Sequence, residues 1–176
     1  DADHLGSNVL AISPDGKRLA AVQAGETSLW TEAEPGRWRR ESTSVGRLDL
    51  VPRGVNDSGT IVGINQDHGG TVSAVVWTRE MGAKTLDLPP GYRHGQASAV
   101  NNAGVVVGQI DGPHGELPGP RGFAYEAGRL RPIDEGGPDF VWATAIDDAG
   151  HVSGVLEKEE DEIKAAPPPV EPAKKP

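Results

Sequence analysis

The chain has 176 residues, among them 24 Gly, 15 Pro and no Cys, and its formal net charge is -9. A chain of this length supports one core, which excludes a large enzyme with separate cofactor and substrate domains. The acidic balance repels phosphate backbones, and the lack of Cys excludes thiolate catalysis, disulfides and thiolate zinc sites. No apolar run is long enough to span a bilayer. We therefore expect neither a nucleic-acid partner nor a membrane span.

A turn motif recurs four times along the chain. An apolar β-branched residue leads into Asn, Asp or Ser, and a glycine follows three residues after that polar residue. The glycines are Gly16, Gly59, Gly104 and Gly150, at intervals of 43, 45 and 46 residues. Repeats of this length are typical of solenoids and propellers, in which each unit covers the apolar face of its neighbour.

Each motif predicts a tight β-hairpin. The Asn, Asp and Ser side chains cap the turn, and the glycine supplies its positive φ angle. The position four residues after each glycine is always small, which predicts that a neighbouring sheet approaches closely there. These positions are Ala20, Gly63, Gly108 and Gly154.

A second hairpin follows in each of the first three units, where a strand ending in an aromatic residue leads through a Gly-containing turn. Four strands per unit predict an all-β fold, a β-propeller-like array of four-stranded antiparallel blades. A β-sandwich is the second choice. The propeller-like domain is assigned to residues 1–156, with units at about 5–48, 49–92, 93–138 and 139–156. Residues 157–176, acidic and then Pro-rich, are expected to form a disordered tail or linker.

The fourth unit is shorter than the others and has no aromatic strand or second turn, so the array has about three and a half to four blades. Propellers normally have at least four blades, and an open array leaves sheet faces uncovered. Two arrangements satisfy this constraint. One is a compact four-bladed ring with a reduced last blade, and the other is a partial ring completed by a second copy or a partner chain.

The second to fourth units resemble the HAF family of probable extracellular repeats, whose core is Ala-x-x-Ile-Asn-x-x-Gly-x-Val-x-Gly. The matching stretches are residues 55–63, 97–108 and 143–154, and the resemblance covers about residues 50–155. The first unit departs from this core, and its Ser-Pro-Asp-Gly turn at 13–16 is similar to the turns of TolB-like and WD-type propeller blades. The resemblance implies β-propeller-like repeats in a secreted or surface-exposed bacterial protein, and it implies no established activity.

Function on a rigid β scaffold usually lies in its variable loops, which here join the second and third strands of a unit or join successive units. The binding candidates are polar or aromatic residues expected in these loops: Asp67, His68, Tyr92, Arg93, His94, Asp111, His114, Phe140 and Trp142. A metal site built from the Asp and His pairs of two adjacent units is a weaker hypothesis, because the ligand spacing typical of metal sites is missing. We predict no catalytic residue, no metal and no cofactor.

These features favour a non-enzymatic extracellular binding or assembly module that presents a loop face to a protein or polysaccharide partner. Another copy of the chain that closes the ring is a further candidate partner. The alternative is a propeller-type glycan hydrolase or lyase, in which loop carboxylates such as Asp67 and Asp111 act as acid and base. A purely structural repeat within a larger assembly is the third hypothesis.

Overall fold

The computed structural model describes residues 8–23, 26–41, 50–67, 69–112, 119–133 and 140–156. These residues contain strands and turns and no helix, which confirms the all-β prediction. The strands of the first two sheets are β1 (Asn8–Ile12), β2 (Arg18–Gln23), β3 (Glu26–Glu34), β4 (Arg37–Glu41), β5 (Leu50–Val55), β6 (Ile61–Gln66), β7 (Val72–Thr78) and β8 (Gly82–Thr85). The remaining strands are β9 (His94–Val100), β10 (Val106–Asp111), β11 (Arg121–Glu126), β12 (Arg129–Pro132), β13 (Phe140–Ile146) and β14 (Val152–Leu156).

Neighbouring strands pair antiparallel in chain order. The described residues form three four-stranded sheets, β1–β4, β5–β8 and β9–β12, and one two-stranded sheet, β13–β14. The first strands of the four sheets, β1, β5, β9 and β13, contact one another in succession. Each of the last three also packs against the second and third strands of the preceding sheet. Every sheet thus lies face to face with the next one.

The hydrophobic core consists of three clusters, one between each pair of successive sheets. Leu29 and Ile61 belong to the first cluster, Val62 and Phe123 to the second, and Val107 and Ala143 to the third. The neighbours Ile61 and Val62 enter different clusters because successive side chains of a strand point to opposite faces of its sheet. A middle sheet therefore buries apolar area on both faces.

The four predicted turn glycines all have positive φ angles, between 71° and 88°. In each turn the glycine N–H donates to the carbonyl oxygen three residues before it, as in Gly59 to Asn56 at 3.0 Å. A left-handed conformation of this kind is strained for residues that carry a Cβ atom. The repeated glycine is thus explained by local backbone geometry.

The prediction for the small residues four positions after each turn glycine needs a correction. A Cβ atom added at Gly63, Gly108 or Gly154 would overlap a backbone carbonyl of the first strand in the same sheet. For Gly63 that carbonyl belongs to Val51, which lies on β5 beside the glycine's own strand β6. The prediction that a neighbouring sheet requires these residues to be small is therefore wrong, because the crowding comes from the paired strand.

A chain of hydrogen bonds joins the hairpin turns of the four sheets, and we call it the turn ladder. The backbone N–H of Asp57 donates to Oδ1 of Asn102 at 2.9 Å, and that of Asn102 donates to Oδ1 of Asp148 at 2.7 Å. In the first turn the equivalent position is Pro14, which has no N–H. There the bond comes from the next residue, as Asp15 N–H donates to Oδ1 of Asp57 at 3.0 Å.

Side-chain amides add a second, buried row to the turn ladder. Asn56 Nδ2 donates to the carbonyl oxygen of Asn101, and Asn101 Nδ2 donates to that of Asp147, both at 3.0 Å. The row ends at the fourth turn because a carboxylate at position 147 has no N–H to donate onward. It does not reach the first turn either, where the equivalent residue is Ser13.

The fourth sheet differs from the other three in its exposure. Within the described ranges it contains β13 and β14 alone, and the side chains of Val155 and Leu156 are 50% and 45% exposed. At the position of the third sheet that corresponds to Leu156, Ile110 is fully buried. A two-stranded sheet has fewer neighbours to cover its apolar side chains.

Candidate ligand-binding cavity at the first strands

Each first strand contains a β-bulge at the same place in the repeat. On β5, for example, Pro52 and Gly54 each have a partner on β6, and Arg53 between them has none. The four bulge residues are Leu10, Arg53, Ser98 and Thr144. Their intervals of 43, 45 and 46 residues are those of the turn glycines. Because a bulge re-aims the side chain of its extra residue, the repeat provides one re-aimed position in each first strand.

A cavity of about 480 Å³ lies among the four first strands and the first turn. Its lining includes Ile12, Arg53, Ser98 and Thr144, so that all four repeat units contribute to it. A second cavity of about 190 Å³ also has Arg53, Ser98 and Thr144 in its lining, and extends to Gln96 and Trp142 in addition. We call the two together the axial cavity. The larger volume is in the range of small-molecule sites, about 300–1,000 Å³.

Arg53 is the one charged residue among the described residues that line the axial cavity. Its side chain is exposed, and it forms no hydrogen bond or ion pair with any other described residue. A guanidinium group presents five N–H donors in a planar fork that matches carboxylate and phosphate oxygens. The axial cavity therefore has a single positive group whose donors are available to a ligand.

Hydrogen bonds hold three polar side chains of the axial cavity in place. Trp142 Nε1 donates to Ser98 Oγ at 2.9 Å, which joins the third and fourth sheets. Thr144 Oγ1 donates to the carbonyl oxygen of Ser153 at 3.2 Å. The Ser98 hydroxyl keeps its own proton for donation, and the Thr144 hydroxyl keeps acceptor capacity. The indole of Trp142 is 36% exposed, so part of its ring is accessible from the cavity.

Neither a family model, nor a curated protein, nor a solved structure matches the chain.

Of the nine binding candidates, Trp142 lies in the axial cavity. Tyr92 is half-buried and packs against the core cluster between the second and third sheets. Asp67 caps its own turn, where its Oδ1 accepts from the N–H groups of Gly69 at 2.9 Å and Thr71 at 2.8 Å. Tyr92 and Asp67 thus have structural contacts.

His94 and Asp111 lie opposite each other on β9 and β10, and both line a separate cavity of about 160 Å³. His94 belongs to the strand itself, and its Nδ1 accepts from the Val72 N–H at 3.4 Å. Arg93 precedes the strand, and its backbone N–H donates to the Asp111 carbonyl oxygen at 2.9 Å. Asp67 does not line this cavity, so the two carboxylates of the enzymatic alternative are not brought together in it.

The side chains of three candidates lie outside the described part of the structure. His68 and His114 lie outside the described residues, and Phe140 is described only as the first backbone position of β13. Across the described ranges, no three His, Asp or Glu side chains converge as a metal site would require. No helix within those ranges is long and apolar enough to cross a membrane.

Two carboxyl groups of the hairpin turns have lowered pKa values. The pKa of Asp15 is lowered chiefly because the Ser13 hydroxyl donates to its carboxylate, at 2.6 Å. The pKa of Asp147 is lowered chiefly by the hydrogen bond between its carboxylate and the His151 ring, where Nδ1 and Oδ2 are 2.8 Å apart. Hydrogen bonds to the charged form favour ionisation. Both carboxylates belong to turns, outside the residues that line the axial cavity.

From the sequence, function was expected in the loops, and none of the bulge residues was among the nine candidates. A signal for them exists in the repeat itself, because the position three residues before the capping Asn or Asp changes from Arg53 to Ser98 to Thr144. The positions on either side keep small or apolar residues from unit to unit. A variable position inside a regular motif indicates that the fold tolerates different side chains there.

Proposed function

We propose that the chain is a non-enzymatic extracellular binding module whose ligand enters the axial cavity. The observation that carries this proposal is the repeated bulge, which puts a variable side chain of the second, third and fourth repeat units in the lining of one cavity. Three of these side chains, Arg53, Ser98 and Thr144, line both parts of the axial cavity. A cavity of about 480 Å³ with few polar groups is typical of a ligand site on a preformed scaffold.

The same proposal takes the sheets as the blades of a propeller-like array of HAF type. Successive contacts of the first strands, face-to-face sheets and the turn ladder all support this arrangement. A bacterial cell-surface or secreted location belongs to the proposal through the resemblance of the repeat. The partner is a polysaccharide or a protein that reaches the cavity from solvent.

The test fills the axial cavity without changing the rest of the surface. Thr144→Trp adds a large ring at an exposed bulge position, and we expect it to abolish binding to any polysaccharide or surface protein that the native chain captures in an array. The matched control is Thr85→Trp, which adds the same ring at an exposed position of the outer strand β8. Circular dichroism should show both variants to be folded.

The two results that contradict the proposal are clear. If Thr144→Trp binds every captured ligand as well as Thr85→Trp does, the ligand does not occupy the axial cavity. If the native chain cleaves a captured polysaccharide, as seen by new reducing ends or unsaturated products, the non-enzymatic assignment is wrong.

A further inference from the structure

We infer that the axial cavity recognises a saccharide unit that bears one carboxylate, such as a hexuronic acid within a glycan. This inference rests on the proposed binding role of the cavity and names the chemical class of its ligand. Three features of the cavity support this inference: the guanidinium group of Arg53, the indole ring of Trp142 and the bulges in the first strands.

The guanidinium of Arg53 specifies the charge of the ligand. It is exposed and has no hydrogen-bonding or ionic partner among the described residues, so its fork can bind both oxygens of a carboxylate. No second cation from the described residues lines the axial cavity. The net charge of -9 disfavours dense polyanions, because they would be repelled by the molecule as a whole. One cation therefore fits one carboxylate on an otherwise neutral ligand.

The remaining side chains specify a saccharide. The indole of Trp142 is partly exposed, is held through its Nε1 by Ser98 and lines the smaller part of the cavity, so it adds a fixed aromatic surface to the lining. The hydroxyls of Ser98 and Thr144 and the amide of Gln96 lie beside it and combine donors with acceptors. A sugar ring has the matching properties, since its C–H face is apolar and its hydroxyl groups both donate and accept.

The strand edges disfavour an extended peptide as the ligand. A peptide that binds by strand addition needs a regular row of free N–H and C=O groups along an edge. The first strands of the second, third and fourth units are interrupted by their bulges at the cavity, at Arg53 in β5, at Ser98 in β9 and at Thr144 in β13. Bulges of this kind prevent regular pairing along an edge.

The experiment uses three small probes and follows the backbone amide signals of the cavity residues by NMR. Methyl β-D-glucuronide and methyl β-D-glucoside differ only in a carboxylate against a hydroxymethyl group, and acetate carries the charge without the ring. We expect the glucuronide to bind about tenfold more tightly than the glucoside, because a hydrogen bond to a charged group contributes more than one to a neutral group. Acetate should bind more weakly than the glucuronide by a similar factor.

The variants separate the contributions. Arg53→Gln should remove the preference for the glucuronide, whereas Arg129→Gln, which removes the same charge from an exposed position of the outer strand β12, should leave it intact. Trp142→Leu should weaken the binding of both sugars several-fold and leave the binding of acetate unchanged.

A glucoside that binds as well as the glucuronide, with no effect of Arg53→Gln, would overturn the acidic-sugar inference and leave the proposed binding role standing. Acetate binding as tight as that of the glucuronide would overturn the saccharide part. If no probe shifts any cavity signal, this inference fails, and the proposed function then stands or falls on the Thr144→Trp test.

Discussion

Two sets of positions recur at the same intervals, one in the first strands and one in the turns that follow them, and they differ in how strictly the residue type is kept. Three of the four turn positions at the start of the motif are Asn or Asp, represented by Asn56, Asn101 and Asp147. Three residues earlier, the bulge positions are Arg53, Ser98 and Thr144, which share neither charge nor size. The bulge positions lie within the first strands and the turn positions lie directly after those strands, so the two sets are three residues apart in every unit.

The difference follows from what each side chain contacts. Asn56 is 1% exposed and bonds both to its own turn and to the next unit, so another side chain there would leave buried polar groups without partners. Arg53 is exposed at the cavity and bonds to no other described residue, so its replacement disturbs no bond of the scaffold. The residue type is thus kept where side chains join the turns of successive units, and it varies at the bulges.

The largest effect on stability is expected where a second strand passes close to the first strand of its own sheet. In Gly108→Ala the new Cβ atom would overlap the carbonyl oxygen of Gln96 and crowd the ring of Phe123. We expect a loss of about 3 kcal/mol or more in the free energy of unfolding, because backbone atoms of the paired strand must shift. Urea denaturation measures this loss.

Gly119→Ala provides the control for that variant. A Cβ atom added at Gly119 meets no heavy atom within 4 Å, and its φ angle lies outside the positive range that strains other residues. Its free energy of unfolding should change by no more than about 0.5 kcal/mol. Equal stability of the two variants would show that the spacing of β9 and β10 is not limited by Gly108.

The next largest effect is expected in the buried row of the turn ladder. Asn56→Ala removes the bond to the Asn101 carbonyl oxygen and leaves the N–H groups of Ser58 and Thr60 without their acceptor. We expect a loss of about 2–4 kcal/mol in the free energy of unfolding, measured by urea denaturation. Asn102→Ala is the comparison, because its side chain takes part in the exposed row of the same ladder and should cost no more than about 1 kcal/mol. A larger loss for Asn102→Ala would contradict the assignment of stability to the buried row.

The sequence predicts the scaffold well because its signals are local. Glycines after Asn and Asp residues indicate turns, and the apolar runs beside them indicate strands, which is sufficient for the all-β fold and the positive φ of Gly59 and its equivalents. The bulges are not local, since they arise where a first strand passes a small residue such as Gly63 on the next strand. Sequence shows the small residue but not which strand crowds it.

The candidate site was harder to predict for the same reason. Loop position and residue type selected Trp142, but its neighbours Ser98 and Arg53 are 44 and 89 residues away in the chain. Their convergence depends on how the sheets are stacked, which a pattern of strands and turns does not specify. Asp67 shows the opposite case, since a carboxylate in a variable loop has a purely local role in its turn.

A smaller effect is expected at the end of the ladder as the pH falls. The lowered pKa of Asp147 means that its folded state favours the carboxylate, so the linked stability is present above the unfolded pKa of about 3.9 and is lost as the pH falls through the lower folded value. His151→Ala removes the side-chain hydrogen bond and should raise the pKa of Asp147 towards its usual range. The backbone N–H of residue 151 also donates to Asp147, at 2.8 Å, so part of the lowering should remain.

NMR titration of the carboxyl carbons measures this change. Asp15 is the internal control, because its pKa is lowered chiefly by Ser13 in another turn and should be the same in His151→Ala. If the pKa of Asp147 stays unchanged in His151→Ala, its lowering comes from the backbone of the turn alone.

The smallest effect on stability is expected where the proposed role in binding is greatest. Arg53→Ala removes an exposed side chain that has no partner among the described residues, so the free energy of unfolding should change by less than about 0.5 kcal/mol in urea denaturation. The bulge should persist, because the pairing of β5 with β6 on either side of it is made by backbone groups and not by the Arg53 side chain. A loss above about 1 kcal/mol would mean that the protein itself holds the guanidinium, and Arg53 would then belong with Asn56 among the scaffold residues. If the stability is unchanged and ligand discrimination is lost, Arg53 contributes free energy to ligand binding and none to folding. A single variant would then distinguish the bulge positions from the turn positions.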